Sequence, residues 1–308
     1  MTLAPGARSG TSPDRTTLLA FATTVVIGGL NFLSVKISNS ALPPLFGAGV
    51  RFGLAALVFL AIALMRKMPL PRGRALAGSM VYGFLVFGVS YALLYFALTR
   101  LQVGTTSVIM ALIPLLTLGL AVLHGQEEFT WRGIAGGILA LAGITLLSLR
   151  SLGGGTPALY MVATLLAAAA GAEGSVIVKS FPRAHPVTTN CVGMAFAAVV
   201  LLAASAAFSE RWLLPPTAGI WLVLAWLVLV GSVGLFGLFL FVIKRWTASA
   251  SVYALTLMPV VAVTTGALFA GEAVTPEVLG GAALVLLGVY VGALSGRRRP
   301  VQPAIKAA

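Results

Sequence analysis

The sequence predicts an all-α polytopic membrane protein, with ten transmembrane helices arranged as two five-helix inverted repeats. Composition, apolar runs and an internal duplication carry this reading. Of the 308 residues, 59% are hydrophobic and 9% charged, with a mean hydropathy of +1.04. That balance belongs to a chain whose solvent is lipid. Apolar runs of roughly 20 residues recur along the chain, each long enough at ~1.5 Å per residue to cross a ~30 Å hydrocarbon core. Barrel strands would alternate polar and apolar residues, whereas GIWLVLAWLVLVG does not, so the spans must be helices that satisfy their own backbone groups.

Hydropathy and breakers place the spans at 16–37, 43–65, 75–99, 102–124, 131–149, 156–178, 187–208, 217–243, 248–270 and 277–295. Thr130 before Trp131, and Thr275 before Pro276, have the chemistry of helix starts. Pro43 with Pro44, Pro69 with Pro71, and GGGTP at Gly153 mark breaks. The net charge of +13 could indicate nucleic acid, but the basic residues flank spans, and orientation in the bilayer accounts for them. One side collects Arg66, Lys67, Arg72, Arg74, Arg132, Lys179, Arg183, Lys244, Arg245 and the basic tails; the other has Lys36, Arg51, Arg100, Arg150 and Arg211. Both termini are therefore expected in the cytoplasm. The basic lead-in to span 1 lacks a clear cleavage site, so that span is read as retained. The lone cysteine, Cys191, excludes an internal disulfide and is read as packing.

Residues 98–127 align without a gap on residues 243–272, pairing Arg100 with Arg245, Pro114 with Pro259 and Glu127 with Glu272. The same offset of 145 pairs Gly136 with Gly281 and Gly143 with Gly288, while an offset of 143 pairs Lys36 with Lys179 and Pro43 with Pro186. The chain is thus read as a duplicated five-span unit. Its expected parts are a tail at 1–15, repeats at 16–150 and 156–295, and a basic tail at 296–308. Five is odd, so the second copy crosses in the opposite sense.

Ten spans in two copies, with a Pro in span 4, GxE at its close and a glycine-spaced span 5, resemble the drug/metabolite transporter superfamily. The closest likeness is to its ten-helix EamA-type branch, the bacterial aromatic amino acid and metabolite exporters. The resemblance implies an inner-membrane protein that exports small metabolites, foremost aromatic and other neutral amino acids, by alternating access. It implies no enzyme activity, cofactor or metal, and no nucleic-acid partner. The expected partners are a small-molecule substrate and the bilayer, with a monomer as the working unit; for coupling, proton antiport through Glu173 and facilitated diffusion are the two alternatives.

Inverted repeats hold substrate near the midplane between the halves. The candidate substrate residues are Asn31, Tyr82, Tyr91, Glu173, Ser251 and Tyr253. Glu173 stands out as an intramembrane acid, a group that by default marks a substrate or ion path; fastening one helix to another is the alternative. Asn31 is equally suited to an interhelical hydrogen bond. Tyr82 and Tyr91 are nine residues apart and face opposite ways on a straight helix, so both reach one cavity only if the helix bends. Tyr95 is assigned to the outer aromatic belt. Pro114 and Pro259 each remove a helical hydrogen bond in mid-span and are candidate hinges, with a static kink as the alternative. Glu127 and Glu272 lie before the starts of spans 5 and 10, where a helix N-terminus accounts for them.

An alternative within the superfamily, an organophosphate or nucleotide-sugar transporter, should carry Lys or Arg near the midplane; Lys36, Arg51, Arg100, Lys179 and Arg245 are read as lying near span ends. An intramembrane enzyme would need a converging nucleophile and base. A receptor or scaffold would leave the inverted duplication unexplained.

Overall fold

The computed structural model describes residues 14–152, 158–245 and 248–294; the side chains of 148–152, 240, 243, 244, 248–253, 293 and 294 lie outside that description. Ten helical spans follow one another: α1 Arg15–Asn39, α2 Pro44–Met65, α3 Gly73–Leu98, α4 Val103–Leu123, α5 Trp131–Leu152, α6 Ala158–Ser180, α7 Pro186–Ala207, α8 from Ala218 to Arg245, α9 Ala248–Ala270 and α10 from Pro276 to Leu294. Among the described residues, seven of them (α1–α4 and α6–α8) contain stretches long and apolar enough to cross a membrane. The other three contribute the shorter apolar stretches Trp131–Leu147, Ala254–Ala270 and Pro276–Gly292.

The boundaries follow from local chemistry. Asp14 caps α1, accepting from the backbone N–H of Thr17 at 3.0 Å and from its hydroxyl; these bonds hold its carboxyl below the ordinary range. Pro44, Pro186 and Pro276 open α2, α7 and α10 at positions where no backbone donor is lost. Left-handed backbone follows α2 at Lys67, α4 at Gly125, α7 at Ser209 and α9 at Gly271. The same two helix stops therefore occur in each copy.

Packing reports the inversion directly. α2 packs most extensively on α7, and α5 on α10, each against its own counterpart in the other copy. α1 lies against α8 and α9, as α6 lies against α3 and α4. Gly136 meets Gly288, while Gly143 meets Gly281. Since the repeat equates Gly136 with Gly281 and Gly143 with Gly288, the contact is reciprocal, as an approximate two-fold axis demands. The backbones come so close that a methyl group on Gly136 would overlap the carbonyl oxygen of Gly288.

Two spans are wound unevenly at equivalent places. α3 contains a π-helical segment at Phe84–Val89, and α8 one at Trp226–Gly234. A π turn holds more residues per revolution and rotates all that follows, and such segments cluster at functional sites. The core beside them, built from Phe52, Phe59, Phe87, Leu98, Met194, Leu201 and Leu227, joins both copies. Leu57, Leu64, Leu222 and Val199 are among the apolar side chains left on the outside, as a lipid-facing surface requires.

The glycine contact predicts a contrast between neighbours. Gly136→Ala should destabilise the detergent-solubilised protein by about 1–3 kcal/mol, because backbone cannot yield to the added methyl. Gly137→Ala meets nothing within 4 Å and should be neutral or stabilising by up to ~1 kcal/mol. Thermal unfolding of the two variants side by side checks this.

Candidate functional site

Between the two copies lies a cavity of about 280 Å³ bordered by α1, α2, α3, α4, α6, α8 and α9. Most of its wall is apolar: Phe32, Val86, Met110, Phe236 and Met258 contribute. Polar groups are few. They are Asn31, Arg51, Tyr82, Tyr91, Ser107 and Ser175, with Arg51 the sole charged residue among the described lining. A larger space of about 690 Å³ opens toward the end of the molecule that carries Lys179 and Arg183. Tyr82, Phe236 and Phe239 border both spaces.

Arg51 departs from the sequence expectation. It lies eight residues into α2, about 10 Å along the axis from the start, and is 1% exposed. Its Nε donates to Ser232 Oγ at 3.0 Å, its Nη2 to the Gly231 carbonyl at 3.1 Å, and its Nη1 to the Tyr95 hydroxyl at 3.4 Å. The guanidinium also stands 5.2 Å from the Tyr91 ring centroid and 5.3 Å from that of Phe52, within cation–π range. Tyr95 correspondingly leaves the interface belt: it is 0% exposed, because its hydroxyl has a buried cation to meet.

The π segment of α8 makes this arrangement possible. Ser232 Oγ donates to the Leu227 carbonyl five residues back at 2.9 Å, while the Gly231 carbonyl turns to accept from Asn31 Nδ2 at 3.0 Å as well as from Arg51. A side chain on residue 231 would overlap the Asn31 amide. The Oδ1 of Asn31, a residue 8% exposed, is buried without a hydrogen-bond partner.

The π segment of α3 resolves the tyrosine geometry. Phe84–Val89 falls between Tyr82 and Tyr91, and the extra rotation brings both to the same cavity. Each also packs edge-on to a neighbouring ring, Tyr82 on Phe87 and Tyr91 on Phe52. Ser251 and Tyr253 lie on α9, but their side chains are outside the described residues. The prolines differ. α4 breaks after Met110 and resumes at Ile113 beside Pro114, whereas Pro259 lies inside an unbroken α9. Met110 and Leu255, the residues four before each proline, both border the cavity.

Glu173 is not among the lining residues. Its Oε1 lies 3.2 Å from His124 Nε2 at the end of α4, and its Oε2 is buried without a partner. His124 Nδ1 lies 2.9 Å from the Leu120 carbonyl. The acid that meets His124 thus comes from the other copy.

An ion pair joins the copies at the C-terminal end of α1. Glu272 accepts from Lys36 Nζ at 2.8 Å, from Val103 N at 2.7 Å and from Gly104 N at 3.3 Å, while Lys36 also donates to the Leu101 carbonyl at 3.1 Å. Glu272 does serve a helix N-terminus, but that of α4 rather than α10. Glu210 acts likewise on α2, accepting from Leu45 N at 3.2 Å, Phe46 N at 2.8 Å and Ser205 Oγ at 2.7 Å. The sequence signal for Glu210 was the Pro43–Pro44 start, which offers no capping side chain of its own.

Apolar helices in inverted copies around a cavity lined by both define the class of membrane transporters. Within that class the chain belongs to the EamA-like transporter family, whose model matches it twice, over residues 15–149 and 158–293. The uncharacterized inner membrane transporter YedA of Escherichia coli K12 is 27% identical over 283 residues, covering 91% of each chain. A protein of Salmonella typhimurium named "Probable amino-acid metabolite efflux pump" is 27% identical over 89% of this chain and 94% of its own. An uncharacterized transporter of Archaeoglobus fulgidus is 28% identical over 89% and 97%. A solved crystal structure, 20% identical, superposes with a TM-score of 0.61 over 92% of this chain and 99% of that one. It shares the fold.

The Lys36–Glu272 contact predicts a stability difference. Glu272, whose side chain is 8% exposed, holds one charged and two backbone donors, so Glu272→Gln should cost about 2–3 kcal/mol. Exposed Glu128 should tolerate the same change within about 0.5 kcal/mol. Paired melting curves check the contrast.

Proposed function

We propose that the protein exports small metabolites, foremost aromatic and other neutral amino acids, by opening a central cavity to each side of the membrane in turn. One observation carries the reading: a cavity lined by both copies adjoins a wide vestibule toward Lys179, while Lys36 and Glu272 tie the copies together at the other end. The halves bounded at 16–150 and 156–295 are the units that move, with Pro114 and Pro259 as flexing points. The excess of Lys and Arg on the Lys179 side supports cytoplasmic termini and an inward-facing vestibule. Aromatic walls at Tyr82, Tyr91 and Phe236 suit flat side chains, and the name borne by the Salmonella relative supports an amino-acid cargo. The protein works as a monomer and performs no chemistry on its cargo.

The repeat supplies the opposite state. Lys179 and Glu127 are the counterparts of Lys36 and Glu272 in the repeat. Closing the vestibule brings Lys179 to Glu127 as Lys36 leaves Glu272. Protons couple through Glu173, which meets His124 of the other copy.

An organophosphate carrier of the same superfamily is favoured by one observation, the depth of Arg51. Transport into proteoliposomes, with amino acids and phosphate compounds as competitors and with or without a pH gradient, separates the two. Amino acids should compete, and phosphate compounds should not. Failure across a broad metabolite panel would count against export altogether. Glu173→Gln should lose at least tenfold in proton-driven accumulation while cargo exchange persists; unchanged driven transport removes Glu173 from the proton path. Reporter fusions at both termini should read out on the cytoplasmic side.

A further inference from the structure

A cation buried in a membrane span costs several kcal/mol unless a partner compensates it. None of the ion pairs among the described residues includes Arg51. Its three hydrogen bonds go to neutral acceptors, the hydroxyls of Ser232 and Tyr95 and the carbonyl of Gly231. A guanidinium has five N–H donors, so the positive charge and part of the donor set are left for something else. The fold does not demand this cation. The equivalent position in the second copy, at the offset of 143, is Met194, which is 0% exposed and packs in the same core. A buried methionine therefore satisfies the same helix pairing.

Asn31 supplies a second, independent observation. Its Nδ2 is spent on the Gly231 carbonyl, the acceptor also used by Arg51. Its side chain borders the cavity, and its Oδ1, buried against Gly231, accepts nothing. An unfilled cation and an unfilled acceptor thus meet at one carbonyl, with no second Lys or Arg among the described lining to share a dianion.

We propose that Arg51 and Asn31 form a head-group site for an α-amino acid, Arg51 receiving the carboxylate and the Asn31 carbonyl oxygen, once its side chain turns from Gly231 to the cavity, the ammonium. The proposal rests on reading this cavity as the substrate chamber. A carboxylate accepts the fork of a guanidinium, and an ammonium has donors but no acceptor, which matches a lone amide oxygen. The cavity, at about 280 Å³, lies just below the ~300–1,000 Å³ of drug-sized sites. It suits one small molecule whose side chain extends toward Tyr82 and Phe236. A phosphate monoester would present two negative charges to one cation and no donor to Asn31.

Binding to the purified, lipid-reconstituted protein tests this with three probes alike in the ring: L-phenylalanine, 2-phenylethylamine, which lacks the carboxylate, and 3-phenylpropionate, which lacks the ammonium. The wild type should prefer phenylalanine at least tenfold over either. Arg51→Met, which copies the residue in the second repeat, should lose that preference over phenylethylamine, and Asn31→Leu its preference over phenylpropionate. Arg51→Lys should restore part of the first. Equal wild-type binding of all three overturns the proposal, as does a folded Arg51→Met that keeps its preference. If a variant fails to fold, the wild-type series alone decides. Binding of none of the three by a protein that carries another cargo into vesicles overturns the head-group site and leaves export standing. Preferential phenylalanine binding without transport of any cargo does the reverse.

Discussion

A unit that crosses a bilayer five times ends on the side opposite its start, so a second copy fused to it must run upside down. Much of the molecule follows from that parity. Counterpart helices are antiparallel, and the closest of these pairs, α5 with α10, meets through reciprocal glycines at backbone distance. The halves interleave, because α1 lies against α8 and α9 while α6 lies against α3 and α4. A space on the approximate axis is then bordered by both copies, and each terminal contact at one end has a counterpart sequence at the other. Lipid adds the second demand: every buried backbone group must find a partner within the protein. Helix starts are accordingly closed by side chains from the other copy, Glu272 on α4 and Glu210 on α2.

Symmetry governs the frame and fails in the cavity. Arg51 faces no charged counterpart, since Met194 holds the equivalent position. Asn31 is likewise unmatched: its α6 neighbourhood contributes Ser175 to the wall, while Glu173 turns to His124. A transport frame gains from two equivalent states, whereas recognition of an asymmetric molecule requires unequal walls. The polar residues are divided in that way, with paired acids and bases near the ends and a single cation within.

The frame was legible because it is written in long, redundant signals. Ten apolar runs, prolines and glycines at the breaks, and gapless repeats at offsets of 143 and 145 all bear on the same architecture. The chemistry was less so, because it depends on how helices are turned about their axes. By charge Arg51 reads as an end residue, although its place in the 43–65 span puts it about two turns inside. Charge alone had drawn it toward the loops, and no local pattern announces three acceptors brought from α3 and α8. Glu173 drew notice as the acid among small residues, yet its partner, His124, lies far away in sequence. The two tyrosines were assigned opposite faces by ideal helical geometry, and no hydropathy profile marks the wider turn at Phe84–Val89 that brings them together.

That wider turn has its twin in α8, where the Gly231 carbonyl receives donors from α1 and α2 at once. One oxygen is thereby a rivet through three helices, two from the first copy and one from the second. Any motion that keeps these bonds must carry α1, α2 and α8 as a single body. Halves that rock against each other along the seam of the duplication must therefore exchange these bonds, so a single carbonyl oxygen is a latch between them.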